Sequence, residues 1–155
     1  MTTPTFEGFL NANNPRTVAT GANLNALSSG SSVLGAAFSN VQGDSAGLGF
    51  PNATAKLHID SMAVSAGGIL QVWFLTAMDS SIYEQGGTSV TPLRPADIIF
   101  TPVVQTAAVD VELACTVPNC ATIKALVKNG LGAATPSNAN GYLNLYYQTQ
   151  QVPSV

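Results

Sequence analysis

From residue 55 onward, apolar and polar positions alternate along the chain with a period of two residues. In Lys56-Leu57-His58-Ile59-Asp60, the two apolar side chains point to one face and the three polar side chains to the other. This alternation is typical of a half-buried β-strand. The pattern predicts six strands, at 56–60, 70–78, 97–102, 109–113, 123–128 and 142–148.

The predicted strand at 70–78 is nearly continuously apolar, which is typical of a strand buried on both faces. Trp73 is therefore expected in or near the core. Turn-forming pairs separate the strands, and no stretch of ten residues has a helical period. The pairs are Gly67-Gly68, Gly86-Gly87, Pro118-Asn119, Asn129-Gly130 and Asn140-Gly141. Many short strands divided by such turns predict an all-β, antiparallel sandwich or a closed barrel.

Residues 1–50 differ from the domain predicted at 51–155. They are rich in Gly, Ser, Asn and Ala, and carry only three charged residues (Glu7, Arg16 and Asp44) among short apolar clusters. Such a segment is too poor in apolar residues for its own core and too rich for a solvated tail. We expect an extended, partly strand-forming arm that becomes ordered on a partner. The alternative is one or two strands of the main domain, around Ser32 to Asn40.

The chain is poor in charge, with 8% charged residues and a net charge of −3 over 155 residues. Soluble domains have about a quarter of their residues charged, and net charge discourages association. We therefore expect much of the surface to lie against partner subunits. The five basic residues (Arg16, Lys56, Arg94, Lys124 and Lys128) are scattered. Nucleic acid, which is bound through clustered cations, is therefore not an expected partner.

The sequence predicts neither a membrane span nor secretion. No apolar run approaches the roughly 20 residues that a membrane-spanning helix needs. The first residues, Met1-Thr2-Thr3-Pro4-Thr5, lack the basic and apolar segments of a secretory signal. The expectation is a protein that is made in the cytoplasm and stays there, or leaves by assembly or lysis.

Candidate chemistry is sparse. The single histidine, His58, lies on the polar face of a predicted strand, where a structural role is expected. Cys115 and Cys120 flank the predicted Pro118-Asn119 turn, as a reduced pair, a disulfide or, least favoured, two metal ligands. Asp79 and Glu84 could act as an acid–base pair or bind calcium, but a solvated loop is favoured. We expect no catalytic, cofactor-binding or metal-binding residue, and no enzyme.

Part of the sequence resembles a family of small virion proteins from tailed bacteriophages. The resemblance rests on Gln71-Val72-Trp73-Phe74-Leu75, on the loop from Met78 to Gly86 and on Thr91-Pro92-Leu93-Arg94-Pro95-Ala96-Asp97, and it extends over residues 56–152. The chain departs from the family at Ala96 and Gln85, where relatives have Pro and Asp, and at Cys120, where they have a Pro/Gly-rich turn.

The resemblance implies a jelly-roll-like β-sandwich that decorates and stabilises a capsid as a cement protein. The expected partners are then the major capsid protein and the chain itself, as a homo-oligomer and preferably a trimer, located in the virion after synthesis in the host cytoplasm. Aromatic and apolar residues of the arm (Phe6, Phe9, Leu10, Phe38 and Phe50) are the expected anchors, with Phe38 and Phe50 in the core as the alternative. The alternative function is a tail or fibre component with a carbohydrate-binding sandwich, which would use Trp73, Tyr83, Tyr146 or Tyr147 as stacking platforms.

Overall fold

The computed structural model of the chain describes residues 8–10, 15–41, 52–60, 65–77, 83, 90–102, 108–137 and 140–150. At 8–10, 109 and 148–150 only the backbone is described. All six predicted strands are confirmed, as β4 to β9. The elements are β1 (Gly8–Leu10), β2 (Arg16–Ala19), α1 (Gly21–Leu24), β3 (Ser32–Phe38), β4 (Asn52–Ile59), β5 (Ile69–Ala77), β6 (Ile98–Phe100), β7 (Val109–Thr116), β8 (Thr122–Gly130) and β9 (Tyr142–Gln150).

The strands form two antiparallel sheets. The first sheet has the order β1-β9-β4-β7, with β2 also paired to β9. The second sheet has the order β3-β8-β5-β6. Strand β1 pairs with residues 148–150 of β9, whereas β2 pairs with residues 143–145. The two short strands therefore occupy one strand position at the same edge of the first sheet.

The order of pairing defines the fold. Strand β2 pairs with β9, β3 with β8, β4 with β7 and β5 with β6. The chain is thus one long antiparallel ribbon with β5 and β6 at its tip, and successive ribbon segments alternate between the two sheets. Additional pairing of β4 with β9 and of β5 with β8 completes each sheet. This is the topology of a jelly-roll sandwich, and the predicted fold class is confirmed.

The main core lies between the sheets. It consists of the inward side chains of both sheets, including Leu57, Leu143 and Phe100, and Phe38 packs edge-on against Phe74 with ring centroids 6.3 Å apart. Alternate residues of β4 and β9 point into this core because the side-chain period of a strand is two. The alternation in the sequence was therefore a reliable guide to these strands.

A second, smaller cluster lies on the outer face of the second sheet. Trp73, Leu75 and Leu126 are buried there, and Tyr83 and Ala96 pack against them. The latter two residues belong to the connection between β5 and β6, which therefore covers part of this face. Strand β5 is thus buried on both faces, as its continuous apolar sequence predicted, and Trp73 is only 2% exposed.

Much of the segment predicted as an arm belongs to the sandwich where the structure describes it. Strand β2 pairs with β9 in the first sheet, β3 pairs with β8 in the second, and α1 lies between them. Val18, Leu24 and Phe38 are buried in the main core. These apolar residues lie on short elements joined by Gly- and Ser-rich links, so no sustained period revealed them.

One predicted turn is wrong, and another separates two strands without closing a hairpin. Asn129 and Gly130 are the last residues of β8, where Gly130 pairs with Ile69. Pro118-Asn119 does not close a hairpin, because β7 and β8 belong to different sheets and the residues between them cross the sandwich. Turn propensity identified a change of direction there, but it could not distinguish a hairpin from a crossing.

Candidate functional site

The outer face of the first sheet carries a group of charged side chains. Lys56 lies opposite Glu112 and His58 lies opposite Asp110, because β4 and β7 pair without a register shift. Residues of the same parity share a face of each strand, so all four point away from the core. We call Lys56, His58, Asp110 and Glu112 the charged cluster.

His58 connects strands within this cluster. Its Nδ1 lies 2.6 Å from Asp110 Oδ1 and its Nε2 lies 3.6 Å from Asp60 Oδ1, while the ring stacks on Tyr142 with centroids 5.0 Å apart. Because both ring nitrogens face carboxylates, neither is directed at a hydroxyl or thiol that it could activate as a base. The geometry is that of a side chain that links β4 to β7 and β9, as the sequence predicted for this histidine.

Lys56 supplies the positive charge of the cluster. Its ammonium group lies 3.1 Å from Asp110 and 3.7 Å from Glu112. Hydrogen bonds from His58 and, less strongly, from Lys56 lower the pKa of Asp110, and the bond to Asp110 raises the pKa of Lys56. A lowered carboxyl pKa stabilises the fold above the pKa of the unfolded chain, and this contribution is lost as pH falls through the folded value. Exposed pairs of this kind contribute little to stability.

The motif that carries the family resemblance has a structural role. Strand β6 pairs only with residues 70–72 of β5, so the backbone of Phe74 lies beyond its reach. Asp97 accepts a hydrogen bond from the Phe74 N–H at 2.6 Å, and Arg94 donates one to the Phe74 carbonyl at 2.9 Å. Arg94 also donates to Asp97 at 2.6 Å. Two side chains thus replace a strand partner, and we call them the Arg94–Asp97 bracket.

The bracket also fixes its own backbone. Trp73 donates its indole N–H to the Arg94 carbonyl at 3.0 Å, and the Asp97 N–H donates to the Val72 carbonyl at 2.9 Å. The segment 94–97 is therefore attached to β5 at several points. The residues of the predicted Arg94-Pro95-Ala96-Asp97 motif hold the β5–β6 connection against the strand.

Removing one half of the bracket is expected to be costly. Asp97→Ala leaves the Phe74 N–H without its acceptor and removes the carboxylate that pairs with Arg94, so the free energy of unfolding should fall by about 2 kcal/mol. The single tryptophan, Trp73, should gain exposure, and its fluorescence emission should shift to longer wavelength. Asp110→Ala, which removes an exposed carboxylate, is the control and should cost less than about 1 kcal/mol. Equal losses for the two variants, with unchanged emission, would show that the bracket does not hold the connection.

Apolar side chains are exposed next to the bracket. Leu93 is 93% exposed, Val90 59% and Ile99 47%. All three lie in the stretch from 90 to 99, which contains β6 and the end of the connection before it, and we call these three residues the exposed apolar set. Leu93 is adjacent to a bracket residue, so its backbone is held in place although its side chain projects into solvent.

The two cysteines are reduced in the structure. Cys115 lies on β7, partly buried against the core, and burial raises the pKa of its thiol to about 11. Cys120 lies on the crossing to the other sheet, where its Sγ contacts the carbonyls of Ala77 and Thr122 at 3.4 and 3.5 Å. A thiol with a raised pKa is a poor nucleophile and a poor metal ligand. The favoured interpretation of the sequence, a reduced pair, agrees with this geometry.

The expected arm anchors have different positions. Phe38 is 6% exposed in the main core, so the alternative that placed it in the core holds and it is not available to a partner. Phe9 and Leu10 lie on β1, which pairs with β9 at the edge of the first sheet. Phe6 and Phe50 lie outside the described residues, as do Asp79 and Glu84.

The aromatic residues considered as stacking platforms are mostly covered. Trp73 and Tyr147 are buried, and Lys124 lies 4.5 Å above the ring of Tyr83. Burial also raises the pKa of Tyr147 to about 12. Of the four, Tyr146 is the one on the outer face of the first sheet, where it pairs with Thr54 and follows Tyr142 by four residues.

Two features were missed in the sequence. The exposure of Leu93 depends on how the β5–β6 connection folds back, and no periodic pattern indicates it. Asn129 suggested a turn, but it is a fully buried residue whose amide organises two loops. An asparagine at the end of an apolar strand, followed by Gly130, was the available signal.

Comparisons with known proteins add no identification. No protein-family model matches the chain, and neither the curated proteins nor the solved structures contain a match to it. None of the described residues belongs to a helix with the length and hydropathy that a membrane span requires. Within the described ranges, no three His, Cys, Asp or Glu side chains are grouped so that they could hold a metal ion.

Proposed function

We propose that this chain is a structural virion protein that decorates and stabilises the capsid of a tailed bacteriophage by binding across neighbouring capsomers. The observation that carries this proposal is Leu93, an almost fully exposed leucine next to a backbone that the Arg94–Asp97 bracket holds in place. Clustered exposed apolar side chains mark interaction surfaces in soluble proteins, and three such residues occur here within the stretch from 90 to 99. A fixed backbone lowers the entropy that binding costs.

The fold and the composition support the same function. Jelly-roll sandwiches are common in viral capsid proteins and in lectins, although a fold alone does not determine a function. The low charge content, 8% of residues, suits a surface that lies against other subunits. On a capsid, each copy needs only modest affinity, because contacts to more than one capsomer act together.

The remaining arm residues contribute a second contact in this proposal. Phe9 and Leu10 lie on β1, at the opposite edge of the first sheet from β7, and Phe6 precedes them in the sequence. Aromatic side chains dominate the energetics of interfaces. The partners are the major capsid protein and further copies of the chain, and the location is the virion.

Cosedimentation with undecorated capsids tests the proposal. The intact chain should bind at a fixed stoichiometry, and Leu93→Ser should weaken binding about tenfold, which corresponds to about 1.4 kcal/mol of lost apolar burial. Val41→Ser is the control, because Val41 is an exposed apolar residue outside the stretch from 90 to 99. The double variant Phe6→Ser, Phe9→Ser should also lower occupancy, with Thr2→Ser, Thr5→Ser as its control. Failure of the folded, intact chain to bind capsids would exclude decoration.

A second candidate function rests on the outer face of the first sheet. Tyr142 and Tyr146 lie there beside the charged cluster, and aromatic rings among carboxylates and amides can bind sugars. A tail or fibre component with a carbohydrate-binding sandwich would use this face. A glycan-array signal that is lost in Tyr146→Ala would favour it over decoration.

A further inference from the structure

The four sheet edges of the sandwich differ in how well they are protected. An open edge presents unpaired backbone groups, and proteins protect such edges with bulges, prolines, short strands or inward-pointing charges. Strand β3 has a register shift between Leu34 and Ala37, and β2 has one between Thr17 and Ala19. Strand β6 has only three residues, with Pro95 before it and Pro102 after it.

Strand β7 lacks the bulge, the proline and the shortness that protect the other three edges, and outward-pointing carboxylates are its only protection. It is eight residues long, Val-Asp-Val-Glu-Leu-Ala-Cys-Thr, without Pro, Gly or Lys. It pairs with β4 over its whole length without a register shift, and no described strand pairs with its other edge. Its two carboxylates, Asp110 and Glu112, point to the outer face rather than inward. It is therefore the one long, regular edge that the described part of the chain leaves open.

The inward face of β7 is also incompletely covered. Val111, Leu113 and Cys115 pack against the main core but remain partly exposed, whereas the equivalent side chains of β4 and β9 are buried. The reason is geometric, because the edge strand of the opposite sheet, β6, is five residues shorter than β7. An added strand at this edge would cover apolar surface as well as backbone groups.

We infer that two copies of the chain pair through their β7 strands, antiparallel and about a twofold axis at Leu113, so that their first sheets become continuous. The apolar inner faces of the two β7 strands must lie on the same side of the joined sheet. Because side chains alternate between faces, odd-numbered residues must then pair with odd-numbered residues and even-numbered with even-numbered. If the twofold axis lies at Glu112, this residue pairs with Glu112 of the second copy. If the axis lies at Val111, Asp110 of each copy pairs with Glu112 of the other. Like charges directly opposite destabilise a strand pair.

The register centred on Leu113 avoids these contacts and still pairs residues 110–116. It places Glu112 opposite Ala114, Asp110 opposite Thr116 and Val111 opposite Cys115, with Leu113 opposite itself. Among registers without opposed carboxylates it pairs the most residues. In this register the same strand presents compatible positions on both sides of the axis, as an isologous interface requires, and this self-complementarity is the reason to assign the edge to a second copy.

Substitutions at Ala114 test this pairing, because Ala114 is exposed on the outer face and faces Glu112 of the second copy. In sedimentation equilibrium of the full chain, the wild type should form a dimer of about twice 15.9 kDa. Ala114→Glu should weaken the dimer about fivefold by creating two like-charge pairs, and Ala114→Lys should strengthen it about fivefold. The swap E112A/A114E, which places Glu opposite Ala again, should restore the wild-type dissociation constant.

Several outcomes would overturn the inference. A chain that stays monomeric over the concentration series leaves β7 free or available to another protein, and a trimer requires a different, heterologous contact. Equal effects of Ala114→Glu and Ala114→Lys would show that this position faces no charge. Thermal unfolding of each variant at low concentration confirms that the monomer is intact. Since Leu93 is unchanged in these variants, their dimerisation and their binding to capsids can be measured separately.

Discussion

Gly35→Ala is expected to destabilise the protein by about 4 kcal/mol, the largest effect of any single substitution proposed for this chain. Gly35 lies in β3, within the register shift between Leu34 and Ala37. A Cβ atom there would collide with the carbonyl oxygen of Val18 and lie 3.0 Å from its carbonyl carbon. Both atoms are backbone, so no side chain can move aside. Strands β2 and β3 would have to separate, which disrupts the edge where the two sheets meet.

Chemical denaturation measures this loss directly. Gly67→Ala is the control, because Gly67 has a positive φ of 74° but nothing lies within 4 Å of an added Cβ. Backbone strain alone should cost the control about 1 kcal/mol. Similar losses for both variants would mean that β2 and β3 do not approach each other as closely as described.

Asn129→Ala should lower the free energy of unfolding by about 3 kcal/mol. The Asn129 amide group donates to the carbonyls of Leu27 and Ala133 at 2.7 and 2.9 Å, and its Oδ1 accepts from the Leu131 N–H at 2.9 Å. Asn129 is fully buried. The substitution therefore removes the acceptor of the Leu131 N–H and the donor to the Ala133 carbonyl, and each unsatisfied group costs about 1 kcal/mol or more. It also removes one of two hydrogen bonds to the Leu27 carbonyl, which still accepts from the Thr135 N–H.

The loops that Asn129 joins should loosen together. Hydrogen exchange at Leu131, whose N–H loses its acceptor, should accelerate in Asn129→Ala. Asn119→Ala, at an exposed position between β7 and β8, is the control and should change stability by less than about 0.5 kcal/mol. A loss in Asn129→Ala no larger than in the control would contradict the role of Asn129 as a buried organiser.

The strands from β4 to β9 could be predicted because their burial follows a period of two. In β4, Leu57 and Ile59 are buried while Lys56 and His58 lie on the outer face, and this contrast is visible in the sequence. Strand β5 was recognised by the loss of that contrast. The covering of its outer face by Tyr83 and Ala96 gives the reason, since both faces of β5 exclude water.

Strand β2 and the helix α1 could not be predicted in the same way. Each has four residues, and their burial arises from contacts with distant strands rather than from a local pattern. The order of the strands was implied only by the resemblance, because alternation does not show which strands are neighbours.

The candidate site was predicted only in part. The polar face with His58 was visible in the sequence, but the bond to Asp110 depends on the register between β4 and β7. The exposure of Leu93 and the open edge of β7 are properties of tertiary structure. Local sequence determines which side chains a strand presents, and only the assembled sheets determine which edges stay open.

The copy number of the chain in purified virions tests the proposed function most directly. Quantitative mass spectrometry would compare this chain with the major capsid protein of the same particles. Decoration predicts a fixed ratio to the capsid protein, as expected for a subunit bound at every equivalent lattice position. Absence from the particle, or a few copies that copurify with tails after heads and tails are separated, would contradict the proposal.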